Sequence, residues 1–168
     1  LEPFVRLREG DKLGVPAGGK VNLVYVGKAR QETWQGAGSI VVGENESKPV
    51  SGKPQVQVRS IPPEAAKQMN KTPSTAPDGR VGMMRMRGIP PADAVTRLEN
   101  EYKQLREQTP ADDLLPEVML LAGLYDLRQY DRIEAELKRI DSAYPGHSTV
   151  AALQSLYGRA LAQARAPK

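Results

Sequence analysis

A chain of 168 residues can form one medium domain or two small ones, and 39% hydrophobic residues suffice for a buried core. The lack of cysteine excludes disulfides, thiol catalysis and cysteine-based metal sites, and no apolar run reaches the roughly 18–20 residues that span a bilayer. Residues 1–97 carry fifteen basic and nine acidic side chains, whereas residues 98–168 carry nine and eleven. This imbalance predicts two surfaces of different charge.

The first 61 residues have the pattern of short β-strands separated by glycine turns. Alternating or apolar runs predict strands over residues 4–8, 20–26, 29–34, 39–42 and 55–58. The polar stretch 44–54, which contains serine, proline and glycine, predicts an exposed loop. We therefore expect a small antiparallel β roll, barrel or sandwich in an α+β protein.

One part of this region has a recognisable order of features. A Gly-Asp pair within residues 7–13 precedes a turn of small residues at 16–19, and a strand at 21–26, a turn at 27–28 and a strand at 37–42 follow. This order resembles the FecR-type β domain of bacterial envelope proteins. The resemblance implies a periplasmic or surface-exposed setting, a role in signalling or assembly, and no catalytic residues.

Residues 62–89 are interpreted as a basic linker. A proline in the first turn predicts a short helix from Pro62–Pro63 to Met69, and residues 71–88 have no periodicity. No aromatic residue lies among the arginines between Arg80 and Arg97, which argues against nucleic-acid binding. Anionic lipid or the acidic helical half of the same chain is the better partner for this segment.

Three methionines in the linker, Met83, Met84 and Met86, lie beside Arg85 and Arg87. Thioethers are soft ligands, so a copper(I) site is one interpretation. The stronger one is an adaptable segment that packs against the β domain or a partner.

Residues 90–168 have helical periodicity throughout. A long helix is predicted to begin at residues 90–93. Two amphipathic helices are predicted within 118–145, with a turn at 128–131, and a last helix is predicted with Ser148 or Thr149 as its N-cap. The predicted apolar stripes are Leu120, Leu121, Leu124 and Leu127, then Ile133, Leu137 and Ile140, then Leu153, Leu156, Tyr157, Ala160 and Leu161.

The spacing of these stripes repeats. Leu98, Tyr102, Leu105 and Pro110 are followed 35 residues later by Ile133, Leu137, Ile140 and Pro145. With Ala122, Tyr125 and Tyr130 at a small and two aromatic positions, residues 118–145 resemble a degenerate tetratricopeptide repeat, whose period is about 34. The alternative is a plain bundle of three or four helices. Both imply packing and binding surfaces without chemistry.

The sequence contains no recognisable arrangement of catalytic residues, so we expect a protein that is not an enzyme and needs no cofactor. The single histidine, His147, lies in a Pro-Gly-His-Ser turn, and no Gly-x-Ser-x-Gly elbow accompanies it. Acidic residues of the helices alternate with lysine and arginine, as on a solvated helix face. A small hydrolase that uses these carboxylates is one hypothesis for function.

Two other hypotheses for function remain. The first is a bacterial envelope protein that mediates protein–protein interaction in a signalling or assembly system. The second is a cell-wall or glycan-binding module with Trp34 and Tyr25 as its platform. A half-exposed Trp34 beside Tyr25 favours the glycan module, and a buried Trp34 favours the interaction protein.

The interaction hypothesis predicts a concave face on the helical half, because first helices line the inner surface of stacked helical repeats. Leu120, Leu124 and Leu127 are expected in the core. Glu117, Asp126 and Arg128 are expected near the rim. The net acidic surface is expected to attract a basic peptide or the segment from Arg80 to Arg97, which contains Arg85 and Arg87.

Overall fold

The computed structural model describes residues 4–73 and 93–166, in which β-strands precede helices, so the predicted α+β class is confirmed. These residues form two compact units. The β unit contains residues 6–67, and the helical unit contains residues 4–5, 68–73 and 93–166. The strands are β1 (Lys12–Val15), β2 (Lys20–Tyr25), β3 (Arg30–Gln35), β4 (Gly38–Val42), β5 (Ser47–Gly52) and β6 (Gln55–Ser60). The helices are α1 (Pro63–Met69), α2 (Ala94–Glu107), α3 (Leu115–Asp126), α4 (Tyr130–Ala143) and α5 (Ser148–Arg165).

The β unit consists of two antiparallel three-stranded sheets, with the strand orders β1-β4-β5 and β2-β3-β6. Its core combines buried side chains of both sheets: Leu13, Val15, Ile40 and Val42 from the first, and Leu23 and Trp34 from the second. The two sheets therefore pack on each other through one apolar layer. The predicted antiparallel topology is confirmed, and the two open sheets exclude the closed barrel for the described residues.

Two predictions within this unit are wrong. The stretch 44–54 is not simply a loop, because β5 forms within it and pairs with β4. Only Ser47 of β5 is buried, so the strand has no apolar alternation, and Pro49 is tolerated because β5 lies at a sheet edge. Residues 5–8 form no strand, whereas β1 directs Leu13 and Val15 into the core.

The short helix predicted to end at Met69 is confirmed as α1, which begins at Pro63. Proline fits a first helical turn, because the amide hydrogen that it lacks would have no partner within the helix. The other helices pack in chain order, α2 on α3, α3 on α4 and α4 on α5.

Helix α3 differs from the predicted amphipathic helix, because every residue from Leu115 to Leu124 is buried. The buried stretch includes Glu117 and Gly123. A helix that is apolar nearly all round is typical of a central position, and α3 contacts both α2 and α4. Leu127, which we expected in the core, is partly exposed beyond the end of α3.

The remaining stripes are confirmed. Ile133, Leu137 and Ile140 are buried on α4, and all five predicted residues are buried on α5. The N-cap of α5 is His147, not Ser148 or Thr149: its Nδ1 accepts a hydrogen bond from the backbone N–H of Thr149 at 3.2 Å. The only histidine therefore has a local structural role.

Candidate interaction surface

A buried carboxylate links the two sheets of the β unit. Glu32 on β3 is fully buried, and the backbone N–H of Ser47 on β5 donates to its two oxygens at 3.3 and 3.2 Å. The indole Nε1 of Trp34 donates to Oε2 at 3.1 Å, and a guanidinium nitrogen of Arg30 lies 3.0 Å from Oε1. Because a buried charge is costly unless it is paired and hydrogen-bonded, these contacts hold Glu32 in place.

Trp34 contacts this carboxylate directly and Tyr25 contacts Ser47 beside it, so the two aromatic residues do not form an exposed platform. Trp34 is 2% exposed, and the hydroxyl of Tyr25 lies 2.8 Å from Oγ of the buried Ser47. The structure therefore brings the two predicted aromatic residues into one network, but directs them inward. The prediction that Trp34 forms an exposed platform for a glycan is therefore wrong. The burial of Trp34 meets the condition that favours an interaction protein.

Strand β6 is the most exposed strand of the β unit. It lies at an edge of its sheet among the described residues, and Val56 and Val58 are 42% and 51% exposed. They pair directly with Trp34 and Glu32 of β3, so they share the face that the core uses. Two apolar side chains thus extend the core face beyond the area that the opposite sheet covers.

The other three sheet edges of the described β unit carry features that discourage further strand pairing. The edge of β1 is only four residues long and begins with exposed Lys12, and β2 begins with exposed Lys20. The edge of β5 contains Lys48 and Pro49. In contrast, β6 has no lysine, proline or glycine, and its one charge, on Arg59, donates to Gln31 of β3 at 2.6 Å.

In the helical unit, Glu117 does not lie near a rim. It is 1% exposed, and Arg106 of α2 donates from Nη1 to Oε2 of Glu117 at 3.0 Å. The hydroxyl of Tyr102 donates to Oε1 at 3.1 Å, while Arg106 also donates to the carbonyl of Asp113 at 2.9 Å. The carboxylate thus connects α2 to the start of α3, and the predicted position of Glu117 near a rim is wrong.

Burial raises the pKa of three tyrosines in the helical unit. Burial raises the pKa of Tyr102, and the negative charge of Glu117 raises it further. The pKa of Tyr125 is also raised by burial and by nearby Tyr130, whose ring centroid lies 6.1 Å from its own. Burial likewise raises the pKa of Tyr157, which packs edge-on against Tyr125 at 6.0 Å. These side chains therefore favour the neutral phenol.

The other two predicted rim residues lie at the end of α3. Asp126 accepts a hydrogen bond from Nζ of Lys71 at 2.7 Å. Arg128 is exposed with φ at +56°, and its backbone N–H donates to the carbonyl of Tyr125 at 3.0 Å, while Gln129 donates to Leu124 at 2.9 Å. This pair of bonds is a Schellman motif with arginine where glycine is usual.

The prediction that α3 lines a concave groove is wrong. Because α3 is buried from Leu115 to Leu124, this first helix cannot form the floor of an open surface. Arg85 and Arg87, together with the three methionines beside them, lie outside the described residues. Among residues 4–73 and 93–166, none of the helices combines the length and the hydropathy of a membrane span.

The exposed edge of β6 cannot be predicted from the sequence. The alternation in Gln55–Ser60 predicts a strand, but sequence alone does not say which strands are at the sheet edges.

In comparisons with known proteins, no protein-family model, no curated protein and no solved structure matches this chain.

Proposed function

We propose that this chain is a non-catalytic bacterial envelope protein that binds a protein partner in a signalling or assembly system, and that β6 is its binding edge. The observation that carries this proposal is the exposure of Val56 and Val58 on an edge strand without the usual protections. An edge of this kind can accept another strand through its backbone.

Strand addition divides the work between backbone and side chains. The free N–H and C=O groups of an edge strand supply main-chain hydrogen bonds, and alternate side chains select the partner. On β6, Val56 and Val58 are the alternate residues on one face. A strand with small apolar residues at every second position fits this edge.

The buried carboxylates also favour an interaction protein. Glu32 and Glu117 each have hydrogen bonds and a basic partner, and each connects two elements of its unit. On the helical surface, Arg132 pairs with Glu99, and Arg165 pairs with Asp131 and Glu134. These acids therefore have structural roles.

The envelope setting rests on the resemblance of the first region to FecR-type domains. A small antiparallel β unit followed by stacked helices is the architecture that this resemblance and the repeat-like spacing imply together. Under this proposal the helical unit, with its tetratricopeptide-like hairpin α3–α4, acts with the β unit in a periplasmic assembly. The basic segment with Arg85 and Arg87 is a second contact, with a membrane surface, the cell wall or an acidic protein.

The experiment compares two lysine variants of the whole chain in capture from an envelope extract. The variant V56K/V58K places charges on the proposed edge, whereas V50K places one on a valine of β5 that is 53% exposed. We expect wild type and V50K to capture the same protein and V56K/V58K to lose it. Equal capture by all three would contradict the proposed edge, and far-UV circular dichroism verifies that each variant is folded.

A further inference from the structure

We propose that the strand which pairs with β6 is β6 of a second copy of this chain, antiparallel about a two-fold axis through Gln57. This inference rests on the proposed function and names the partner at the same edge. It follows from the register that the six residues of β6 allow.

In an antiparallel pair of two copies, the core faces of both sheets lie on the same side only if directly opposed residues point to the same face. Side chains alternate between the two faces along a strand, so a residue can be opposed only to itself or to one an even number of positions away. The axis must therefore pass through a residue. A pair centred on Gln57 places Val56 opposite Val58 twice, so all four valines meet across the junction. A pair centred on Val56 would place Val58 opposite Pro54, and one centred on Val58 would place Val56 opposite Ser60.

The same register is compatible with the charges of β6. Gln55 is opposite Arg59 of the other copy, and Gln57 is opposite itself. No like charges face each other, and Arg59 is held by Gln31 on the side of β3. A parallel pair would bring the two Arg59 side chains together. Like charges directly opposite destabilise a sheet, so the antiparallel pair is favoured.

The product is one six-stranded sheet with the order β2-β3-β6-β6-β3-β2. The two-fold axis is perpendicular to this sheet, so both core faces lie on the same side and the valines join the two apolar layers. A junction of one short strand from each copy is below the size of a standard stable interface. The dimer should therefore be weak and depend on protein concentration, as a reversible assembly contact requires.

The chain has no cysteine, so single cysteines can report the register. In Q57C the two thiols are directly opposite, within the Cα distance that a disulfide allows. In the matched control Q55C, the thiol is opposite Arg59. We expect Q57C to form a disulfide dimer roughly tenfold faster than Q55C or more, because pairing raises the effective concentration of the opposed thiols.

Analytical ultracentrifugation of the whole wild-type chain should show a monomer–dimer equilibrium that V56K/V58K shifts to monomer and V50K leaves unchanged. Equal, slow oxidation of Q57C and Q55C, with a monomeric wild type at all concentrations, would overturn self-pairing. If V56K/V58K still lost a captured protein in that case, the proposed function would stand with a different occupant. If the capture were also unaffected, both proposals would fail.

Discussion

A methyl carbon of Leu98 lies 2.5 Å from the position that a Cβ atom on Gly123 would occupy. Leu98 is on α2 and Gly123 is in the last turn of α3, so the missing side chain allows the two helices to approach closely. Ala122, the residue that the repeat pattern marks as the small one, is its neighbour. The close approach itself depends on glycine.

We therefore expect Gly123→Ala to destabilise the helical unit by about 1–3 kcal/mol through overpacking, although alanine is the better helix former. The control is Gly158→Ala on α5, where an added Cβ would have no neighbour within 4 Å. That change should stabilise the chain by about 0.5–1 kcal/mol. Urea unfolding followed by circular dichroism measures both, and a stabilised Gly123→Ala variant would contradict the tight contact.

The buried ion pair of the helical unit makes a second prediction. Glu117→Ala leaves Arg106 without its carboxylate and should cost about 3 kcal/mol. Asp126→Ala removes the more exposed pair with Lys71 and should cost less than about 1 kcal/mol. The same urea experiment compares the two variants, and similar small losses would mean that Glu117 is well solvated.

The carboxylate between the sheets should behave in the same way. Glu32→Ala removes the acceptor of the Ser47 and Trp34 hydrogen bonds and should destabilise the β unit by about 3 kcal/mol. The control is Glu46→Ala. It removes an exposed carboxylate whose Oε2 lies 3.6 Å from Nη2 of the same Arg30, and it should change the free energy of unfolding by less than about 0.5 kcal/mol. The fluorescence of Trp34, the single tryptophan, reports unfolding directly.

Arg128 adopts a left-handed conformation that costs a residue with a side chain about 1 kcal/mol. Arg128→Gly should therefore stabilise the turn between α3 and α4 by about 0.5 kcal/mol, after allowance for the greater freedom of glycine when unfolded. The converse control is Gly146→Ala, at φ +72° with open space around it, which should destabilise by about 1 kcal/mol. Thermal unfolding of both variants measures these changes. If both variants were stabilised, or both destabilised, the explanation from left-handed backbone conformation would be contradicted.

The raised tyrosine pKa values predict how stability depends on pH. The folded state holds the phenol protons of Tyr102, Tyr125 and Tyr157 more tightly than the unfolded chain, in which the pKa is about 10. Their contribution is complete below pH 10 and is lost as the pH rises through the raised values. Urea unfolding across that range should show the decline, and Tyr102→Phe should reduce it. Unchanged stability would indicate solvated phenols.

The sequence alone is enough to predict that strands precede helices, and which apolar residues of α4 and α5 form the core. Periods of two and of about three and a half residues are local properties, and they survive without knowledge of distant contacts. The short helix α1 was also readable, because a proline in the first turn has a local effect.

Contacts between distant segments determine which polar residues are buried and which apolar residues are exposed. The burial of Glu117 depends on Arg106, and that of Glu32 depends on the amide of Ser47, so neither follows from neighbouring residues. Conversely, Val56 is exposed because β6 lies at a sheet edge, although its alternating pattern is that of a half-buried strand. Strand order arises from hydrogen bonds between segments distant in the chain, and local periodicity carries no information about those partners.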